Sequence, residues 1–290
     1  MFKGSMVALV TPFKGEKIDE EALRKLVRFQ IENGTDVLVP CGTTGESATL
    51  SLQEHERVID IVIDEARGKT KVVPGTGSNN TAEALEFTRH AKEAGADGAL
   101  IITPYYNKPT QEGIYQHFKV LDSVGIPLVV YNIASRTGIN ITPATMARIA
   151  KLKNAVGVKE ASGNLKQMAE IKRLCGENFD LISGDDALTL PLLAIGGCGV
   201  ISVVANIVPK DVSEMITAHK KGDFKQARDY YYKLMPLVNA MFIETNPIPV
   251  KTSMGLMRMI EPTLRLPMCA MSEANVEKLK KVLKEYKLIK

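Results

Sequence analysis

The sequence predicts a (β/α)8 barrel, a TIM barrel, followed by a C-terminal helical subdomain. Short apolar segments rich in β-branched residues recur at intervals of about 20 to 35 residues, the size of a βα unit. Several are apolar on both faces, as parallel strands covered by helices must be. The predicted strands are residues 5–11, 36–41, 71–75, 98–103, 127–131, 155–159, 180–183 and 199–203. Eight alternations favour a closed barrel over a doubly wound open sheet, which usually has fewer strands.

Amphipathic helical segments separate these strands. Their starts are marked by acidic residues, by the S-x-x-E capping pattern, or by threonine at the first turn. The predicted starts are at Asp19, Ser51, Thr81 and Thr142.

After about Lys221 the alternation stops, and the chain contains helical patterns only. The predicted helices are residues 223–245, 248–259 and 272–286. We therefore predict two parts, residues 1–222 as the barrel with the active site and residues 223–290 as the helical subdomain. The many lysines of the last helix are typical of a solvated helix face.

Composition indicates an ordinary globular protein. The 290 residues are 45% hydrophobic and 24% charged, with a net charge of +4. Because the basic residues are spread out, we expect no nucleic-acid partner and no anionic membrane surface. The longest apolar runs are far shorter than the roughly 20 residues that span a bilayer. The N-terminal apolar stretch ends at Pro12 and is too short for a signal peptide, so we expect a cytoplasmic protein.

The sequence also gives no sign of a cofactor. The four cysteines lie far apart without a CxxC pair, and the four histidines have no HxxH or HxxxH spacing. A dedicated metal site and a disulfide framework are therefore not expected. No GxGxxG follows a strand, and the chain lacks GxxxxGK[ST]. We expect side chains to carry the chemistry.

One of those side chains is Lys159, at the end of the sixth predicted strand, although lysine is rarely buried. Alternation places Lys159 on the face of Gly157, with Val156 and Val158 toward the helix layer. We expect Gly157 to leave room inside the barrel and Lys159 to point into its mouth, where active sites lie. A lysine in a partly apolar cavity becomes a neutral amine that forms Schiff bases with ketones. The alternative is a structural lysine paired with Glu160.

Other predicted strand ends carry groups suited to that chemistry. Tyr131 can transfer protons, with Thr43 and a tyrosine of residues 103–107 as relay partners. The GTTGE loop, residues 42–46, places glycines and hydroxyls where they can hold a small carboxylate. Arg136 is suited to bidentate carboxylate binding. Their ordinary alternatives are a core aromatic, a plain tight turn and a surface ion-pair partner.

Taken together, the motifs resemble the dihydrodipicolinate synthase family from the N-terminus to the last helix. They are GTTGES (42–47), TPYYNKPTQEG (103–113), YNIASRTG (131–138), GVKEASGN (157–164), GDD (184–186), GVISV (199–203) and NPIPVK (246–251). The family consists of class I, lysine-dependent aldolases on a TIM barrel. They condense pyruvate with L-aspartate 4-semialdehyde in lysine and diaminopimelate biosynthesis. The resemblance implies a Schiff-base-forming lyase that needs no cofactor.

The resemblance also implies residue roles. Lys159 would form the Schiff base with pyruvate and Tyr131 would be the acid/base, with Thr43 and Tyr106 completing the relay. Tyr106 would come from a neighbouring subunit, which implies at least a dimer. Because members of the family are commonly tetramers, the resemblance implies a homotetramer built as a dimer of dimers. The implied substrate-binding residues are Thr44, Arg136, Ile201 and Gly184. An implied feedback site for L-lysine comprises Ser47, Ala48, His55, Asn79, Glu83 and Tyr105.

Two alternatives remain open. Another pyruvate-dependent aldolase, such as N-acetylneuraminate lyase or a keto-deoxy sugar acid aldolase, would share the lysine, the tyrosine and the glycine-rich loop. Such enzymes cleave polyols and do not need Arg136 for a short semialdehyde, so SRTG together with TPYYN favours the synthase. A non-catalytic barrel that binds keto acids is the other alternative, since fold alone does not define function.

Overall fold

Eight parallel strands form the centre of the structure, a computed structural model that describes residues 1–290. In chain order they are β1 (Gly4–Ala8), β4 (Val37–Val39), β5 (Lys71–Val72), β6 (Ala99–Ile102), β7 (Leu128–Asn132), β8 (Ala155–Glu160), β9 (Asp180–Ser183) and β10 (Gly199–Ser202). Two short strands, β2 (Phe13–Lys14) and β3 (Lys17–Ile18), pair as a separate antiparallel hairpin.

The order of neighbouring strands is β5-β4-β1-β10-β9-β8-β7-β6. A bridge between Gly75, just beyond β5, and Leu100 of β6 joins the two end strands. The predicted barrel is confirmed, and each predicted strand overlaps an observed one.

Helices follow the strands as predicted. They are α1 (Glu20–Glu32), α2 (Leu52–Ala66), α3 (Thr81–Glu93), α4 (Gln111–Asp122), α5 (Ala134–Thr137), α6 (Pro143–Ile149), α7 (Leu165–Cys175), α8 (Thr189–Ala194) and α9 (Pro209–Lys220). Asp19, Ser51 and Thr142 cap their helices through side-chain oxygens, and Ser51 forms a complete capping box with Glu54. None of the helices combines the length and the apolar character that crossing a membrane requires.

Side chains of the barrel strands sort into an inner and an outer layer. Val129, Tyr131 and Ile182 belong to a small apolar cluster inside the barrel. Leu128 and Val130, their chain neighbours, pack in the layer between strands and helices. This alternation along each strand determines which residues at the strand ends can reach the barrel mouth.

The strand that carries Lys159 departs from simple alternation. Its pairing with β7 shifts by one position before Gly157, as in a β-bulge. Val158 lies in the outer layer as predicted, but Val156 packs against the inner cluster. The prediction that both valines face the helices was wrong for Val156, because the extra residue of a bulge interrupts the two-residue period.

Three further helices complete the chain, α10 (Phe224–Ala240), α11 (Ile248–Leu256) and α12 (Glu273–Glu285). They pack on the barrel, with α10 against α9 and α12 against both α10 and α11. Leu237, Val250 and Leu279 share one apolar cluster with Leu23 and Val62 of the barrel helices. The division at residues 222 and 223 stays a prediction.

Candidate active site

A cavity of about 250 Å³ lies where the carboxyl ends of several barrel strands meet. Its wall combines residues that follow β4, β5 and β7 with residues from the connection between α10 and α12. Six of the predicted site residues line it: Thr43, Ser47, Ala48, Tyr105, Tyr131 and Arg136. No group of three or more His, Cys, Asp or Glu side chains is arranged to hold a metal ion.

Lys159 lies against the ring of Tyr131, with Nζ 4.0 Å from the ring centroid. The two residues are paired across β7 and β8, and Lys159 is only 6% exposed. Burial lowers the pKa of Lys159 to about 7, an effect that the Asp186 carboxylate opposes and the Arg136 charge strengthens. A lysine in this setting supplies a neutral amine near neutral pH.

The alternative pairing of Lys159 with Glu160 is wrong. Glu160 is completely buried on the opposite face of β8, where Oε2 accepts a hydrogen bond from Asn132 Nδ2 at 3.0 Å. Its other oxygen accepts from the Ser162 amide at 2.8 Å. Lys159 has no carboxylate within ion-pair distance, so its amine is not held by a salt bridge.

Space for the Lys159 side chain comes from Gly184 and not from Gly157. A Cβ atom at Gly184 would lie 3.1 Å from both Cγ and Cε of Lys159. A Cβ atom at Gly157 would instead lie 2.6 Å from the backbone oxygen of Asp180 on the neighbouring strand. Gly157 therefore permits the close approach of β8 and β9, and the prediction about its role was wrong.

Tyr131 is buried at 5% exposure, and its phenol is held in the protonated form. Burial raises the pKa of Tyr131 to about 12, although the Arg136 charge and an interaction with the Thr43 side chain lower it in part. Tyr131 thus lies against Lys159 and lines the same cavity as Thr43, and the role of the three as a proton relay stays a prediction.

Tyr106 is not part of this cluster in its own chain. Its side chain is 88% exposed, and its backbone has a left-handed φ of 72°. Left-handed φ values are uncommon outside glycine and cluster at functional sites. The adjacent Tyr105 lines the cavity instead.

Four predicted binding residues lie around the lysine and the cavity mouth. Thr44 is buried, and its Oγ1 accepts a hydrogen bond from Asn246 Nδ2 at 2.9 Å. Arg136 lies on the short helix α5, exposed at the cavity wall, and Nη2 donates to the Asn246 carbonyl at 3.0 Å. Ile201, on β10, belongs to the inner apolar cluster. Gly184 packs against Lys159 as described above.

The predicted effector residues are only partly brought together. Ser47, Ala48 and Tyr105 line the cavity. Asn79 does not line it, and its carbonyl accepts a hydrogen bond from Asn107 Nδ2 at 2.8 Å.

Two further members of the effector set, like Asn79, do not line that cavity. Glu83 is exposed on α3 and accepts a hydrogen bond from Ser78. His55 is buried and stacks on Phe87 with ring centroids 4.0 Å apart. Burial lowers the pKa of His55 to about 4, so its imidazole is neutral.

Sequence reasoning missed Asn246, Glu46 and Lys251. Asn246 contacts both Thr44 and Arg136, while Lys251 is fully buried and forms an ion pair with Glu46. Lys251 ends the NPIPVK motif directly after an apolar run. The reasoning used for Lys159, a lysine placed among apolar residues, could have identified it.

The family comparison agrees with this geometry. Residues 1–286 match the family model described as the Dihydrodipicolinate synthetase family. The chain belongs to the dihydrodipicolinate synthetase family. It is 59% identical over 290 residues to the 4-hydroxy-tetrahydrodipicolinate synthase of Syntrophus aciditrophicus, covering 100% of each chain. The dihydrodipicolinate synthase structure from Aquifex aeolicus is 50% identical, covers 99% of each chain and superposes with a TM-score of 0.98.

Two other solved members of the synthetase family carry small molecules. The chloride-inhibited enzyme from Acinetobacter baumannii is complexed with pyruvate, with 42% identity over 100% of each chain and a TM-score of 0.97. The enzyme from Cyanidioschyzon merolae has lysine bound, with 39% identity over 99% of each chain and a TM-score of 0.96. The predicted family, barrel fold and biosynthetic lyase activity are confirmed. The roles of individual residues stay predictions.

Proposed function

We propose that this chain condenses pyruvate with L-aspartate 4-semialdehyde, the reaction of a 4-hydroxy-tetrahydrodipicolinate synthase, through a Schiff base on Lys159. The observation that carries the proposal is a buried lysine without a carboxylate partner, 4.0 Å from the ring centre of a buried tyrosine. Burial gives the lysine a pKa of about 7, so the nucleophilic amine is available at neutral pH.

The reaction begins when the neutral amine of Lys159 attacks the ketone carbon of pyruvate. Tyr131 donates a proton to the oxygen that leaves as water, and an iminium remains. The Tyr131 phenolate then takes a proton from the adjacent methyl group, and the iminium accepts the electron pair, which gives an enamine and restores the phenol. Since burial raises the pKa of Tyr131 to about 12, the phenol carries the proton needed for the first step.

The enamine carbon then attacks the aldehyde carbon of the second substrate, and Tyr131 protonates the new alkoxide. The amino group of that substrate attacks the iminium carbon and closes the ring, and one of its protons passes to the Lys159 nitrogen, which leaves as the neutral amine. Its other proton returns to the Tyr131 phenolate, so a cyclic imine is released and the enzyme is regenerated. Thr43 lines the same cavity as Tyr131 and passes protons between it and Tyr106 of a neighbouring subunit.

Carboxylate recognition divides between two places. Thr44 Oγ1 already accepts a hydrogen bond from Asn246, so its own O–H is free to donate to the pyruvate carboxylate. Gly184 and the backbone at Ile201 complete that subsite. Arg136 uses one N–H for Asn246 and retains others for the carboxylate of the semialdehyde.

The exposure of Tyr106 supports an oligomer. A tyrosine that is 88% exposed, on a left-handed backbone, serves the relay only when a second copy of the chain receives it. We propose a homotetramer, assembled as a dimer of dimers, in which Tyr106 reaches the site of a neighbouring subunit. The four unpaired cysteines fit a reducing cytoplasmic location.

L-Lysine is the proposed feedback inhibitor. The exposed Glu83 carboxylate offers a partner for an ammonium group, and Ser47 with Ala48 lines the same cavity as Thr43. An effector held against Ser47 and Ala48 would lie in the cavity that Thr43 lines and would thereby act on the relay. Asn79, Tyr105 and the neutral His55 complete the proposed set.

Borohydride trapping tests the proposal. With pyruvate, one covalent adduct is expected on Lys159, and Lys159→Ala should lose both the adduct and the activity. The matched control is Lys153→Ala, at an exposed lysine in the segment that precedes β8. This variant should retain both the adduct and the activity. An assay with aspartate semialdehyde, run beside N-acetylneuraminate cleavage, separates the alternatives. Turnover of the sugar acid alone would overturn the assignment.

A further inference from the structure

A buried ion pair joins the C-terminal helices to the loop that carries Thr43 and Thr44. Lys251, on α11, donates from Nζ to Glu46 Oε1 at 2.5 Å, although the residues are 205 positions apart in the chain. Both side chains are almost completely excluded from solvent, at 0% and 2% exposure. Burial lowers the pKa of Lys251, and the Glu46 carboxylate raises it in part.

The two charged groups are held by further hydrogen bonds. Lys251 Nζ also donates to the Thr11 carbonyl at 2.9 Å, and Glu46 Oε2 accepts from the Arg265 amide at 3.1 Å. The Thr11 hydroxyl donates to the Gly45 carbonyl at 2.7 Å. The end of the loop is therefore fixed from two sides, by the segment after β1 and by the C-terminal region.

The loop needs this support because its ends are strained. Cys41 and Glu46, which flank residues 42–45, both have left-handed backbone conformations, with φ values of 56° and 55°. Non-glycine residues keep such conformations only where the surroundings leave no alternative. A buried ion pair adds little net stability compared with an apolar pair, but it does select one arrangement of its partners.

We propose that the Lys251–Glu46 pair is a positioning device that fixes the substrate loop, so that Thr43 meets Tyr131 and the Thr44 hydroxyl meets pyruvate. The inference rests on the proposed function. Asn246, at the start of the same C-terminal segment, holds Thr44 Oγ1 from the other side. The C-terminal helices thus take part in building the active site, although none of their residues reacts with substrate.

Measuring both the stability and the activity of variants distinguishes a positioning role of the ion pair from a purely structural one. Lys251→Met leaves the buried Glu46 carboxylate without its ion-pair partner, so this variant should unfold at a lower denaturant concentration than the wild type. The double variant Glu46→Gln, Lys251→Met removes both charges and should regain most of that loss. Its kcat/KM for pyruvate should nevertheless stay about 10- to 100-fold below the wild-type value, the effect expected when a few hydrogen bonds lose their alignment.

Two measurements keep the test specific. The pH midpoint of pyruvate trapping on Lys159 should not move in the double variant, because the surroundings of the amine are intact. The control Lys233→Met removes an exposed ion pair with Asp211 on a C-terminal helix, and it should leave kcat/KM unchanged.

A double variant that is both stable and as active as the wild type would overturn the inference. So would single variants whose activity falls only in proportion to their unfolded fraction. Because pyruvate trapping does not need the second substrate, failure of the wild type to use aspartate semialdehyde would refute the proposed function alone.

Discussion

Lys159 should react with pyruvate at pH values where an ordinary lysine is protonated. Burial lowers its pKa from 10.5 to about 7. About half of the amine is then neutral at pH 7, against about one part in three thousand for an exposed lysine. Because only the neutral amine attacks a ketone, the rate of Schiff-base formation should rise with pH through 7 and become constant above about pH 8.

The assay is the initial rate of adduct formation at fixed pyruvate, trapped with borohydride and measured by mass spectrometry between about pH 5.5 and 9.5. Peptide mapping at the exposed Lys153 provides an internal control, which should stay unmodified over most of this range. A rate that keeps rising about tenfold per pH unit up to pH 9 would refute the reasoning, since it would show an amine with an ordinary pKa.

Asp186 provides a second check on the same pKa. Its buried carboxylate raises the pKa of Lys159, so Asp186→Asn should move the midpoint of the trapping profile to lower pH. Tyr131 cannot produce this midpoint, because burial raises its pKa to about 12. A midpoint that does not change in the variant would show that the Asp186 charge does not act on the amine.

Three other outcomes are expected. Lys159→Met should raise the free energy of unfolding at pH 7 by about 4 kcal/mol, because between about pH 7 and 10.5 the unfolded lysine is protonated and the folded one is largely neutral. The gain should disappear above about pH 10.5 in urea titrations, and an equal gain at both pH values would contradict the buried neutral amine. Mixing inactive Tyr106→Phe and Lys159→Ala subunits should restore activity in steady-state assays if Tyr106 acts across an interface, whereas no recovery would place the relay within one chain. Asn246→Leu should raise the KM for pyruvate about 10-fold, since Thr44 loses its hydrogen-bond partner. The control Asn239→Leu, at an exposed position, should leave KM unchanged. If Asn246→Leu also leaves KM unchanged, Asn246 does not position Thr44.

The fold could be predicted well because its signals are local. Strands are short apolar runs and helices are periodic patterns with capping residues, so residues 180–183 match β9 from end to end and Ser51 caps α2 as predicted. Where local periodicity is interrupted, as at the bulge before Gly157, the same reasoning placed Val156 on the wrong face. Nothing in the residues around Val156 indicates how β8 pairs with its neighbour.

The sequence by itself determined the barrel, its family and the lysine at its mouth, because strand alternation and residue chemistry act over a few positions. Only the tertiary structure decided what surrounds that lysine. It showed that Gly184 makes room for Lys159, that Asn246 holds Thr44, and that Lys251 reaches Glu46 across 205 positions. Such contacts depend on how distant segments pack against each other. No local pattern in the sequence indicates which distant residues will meet.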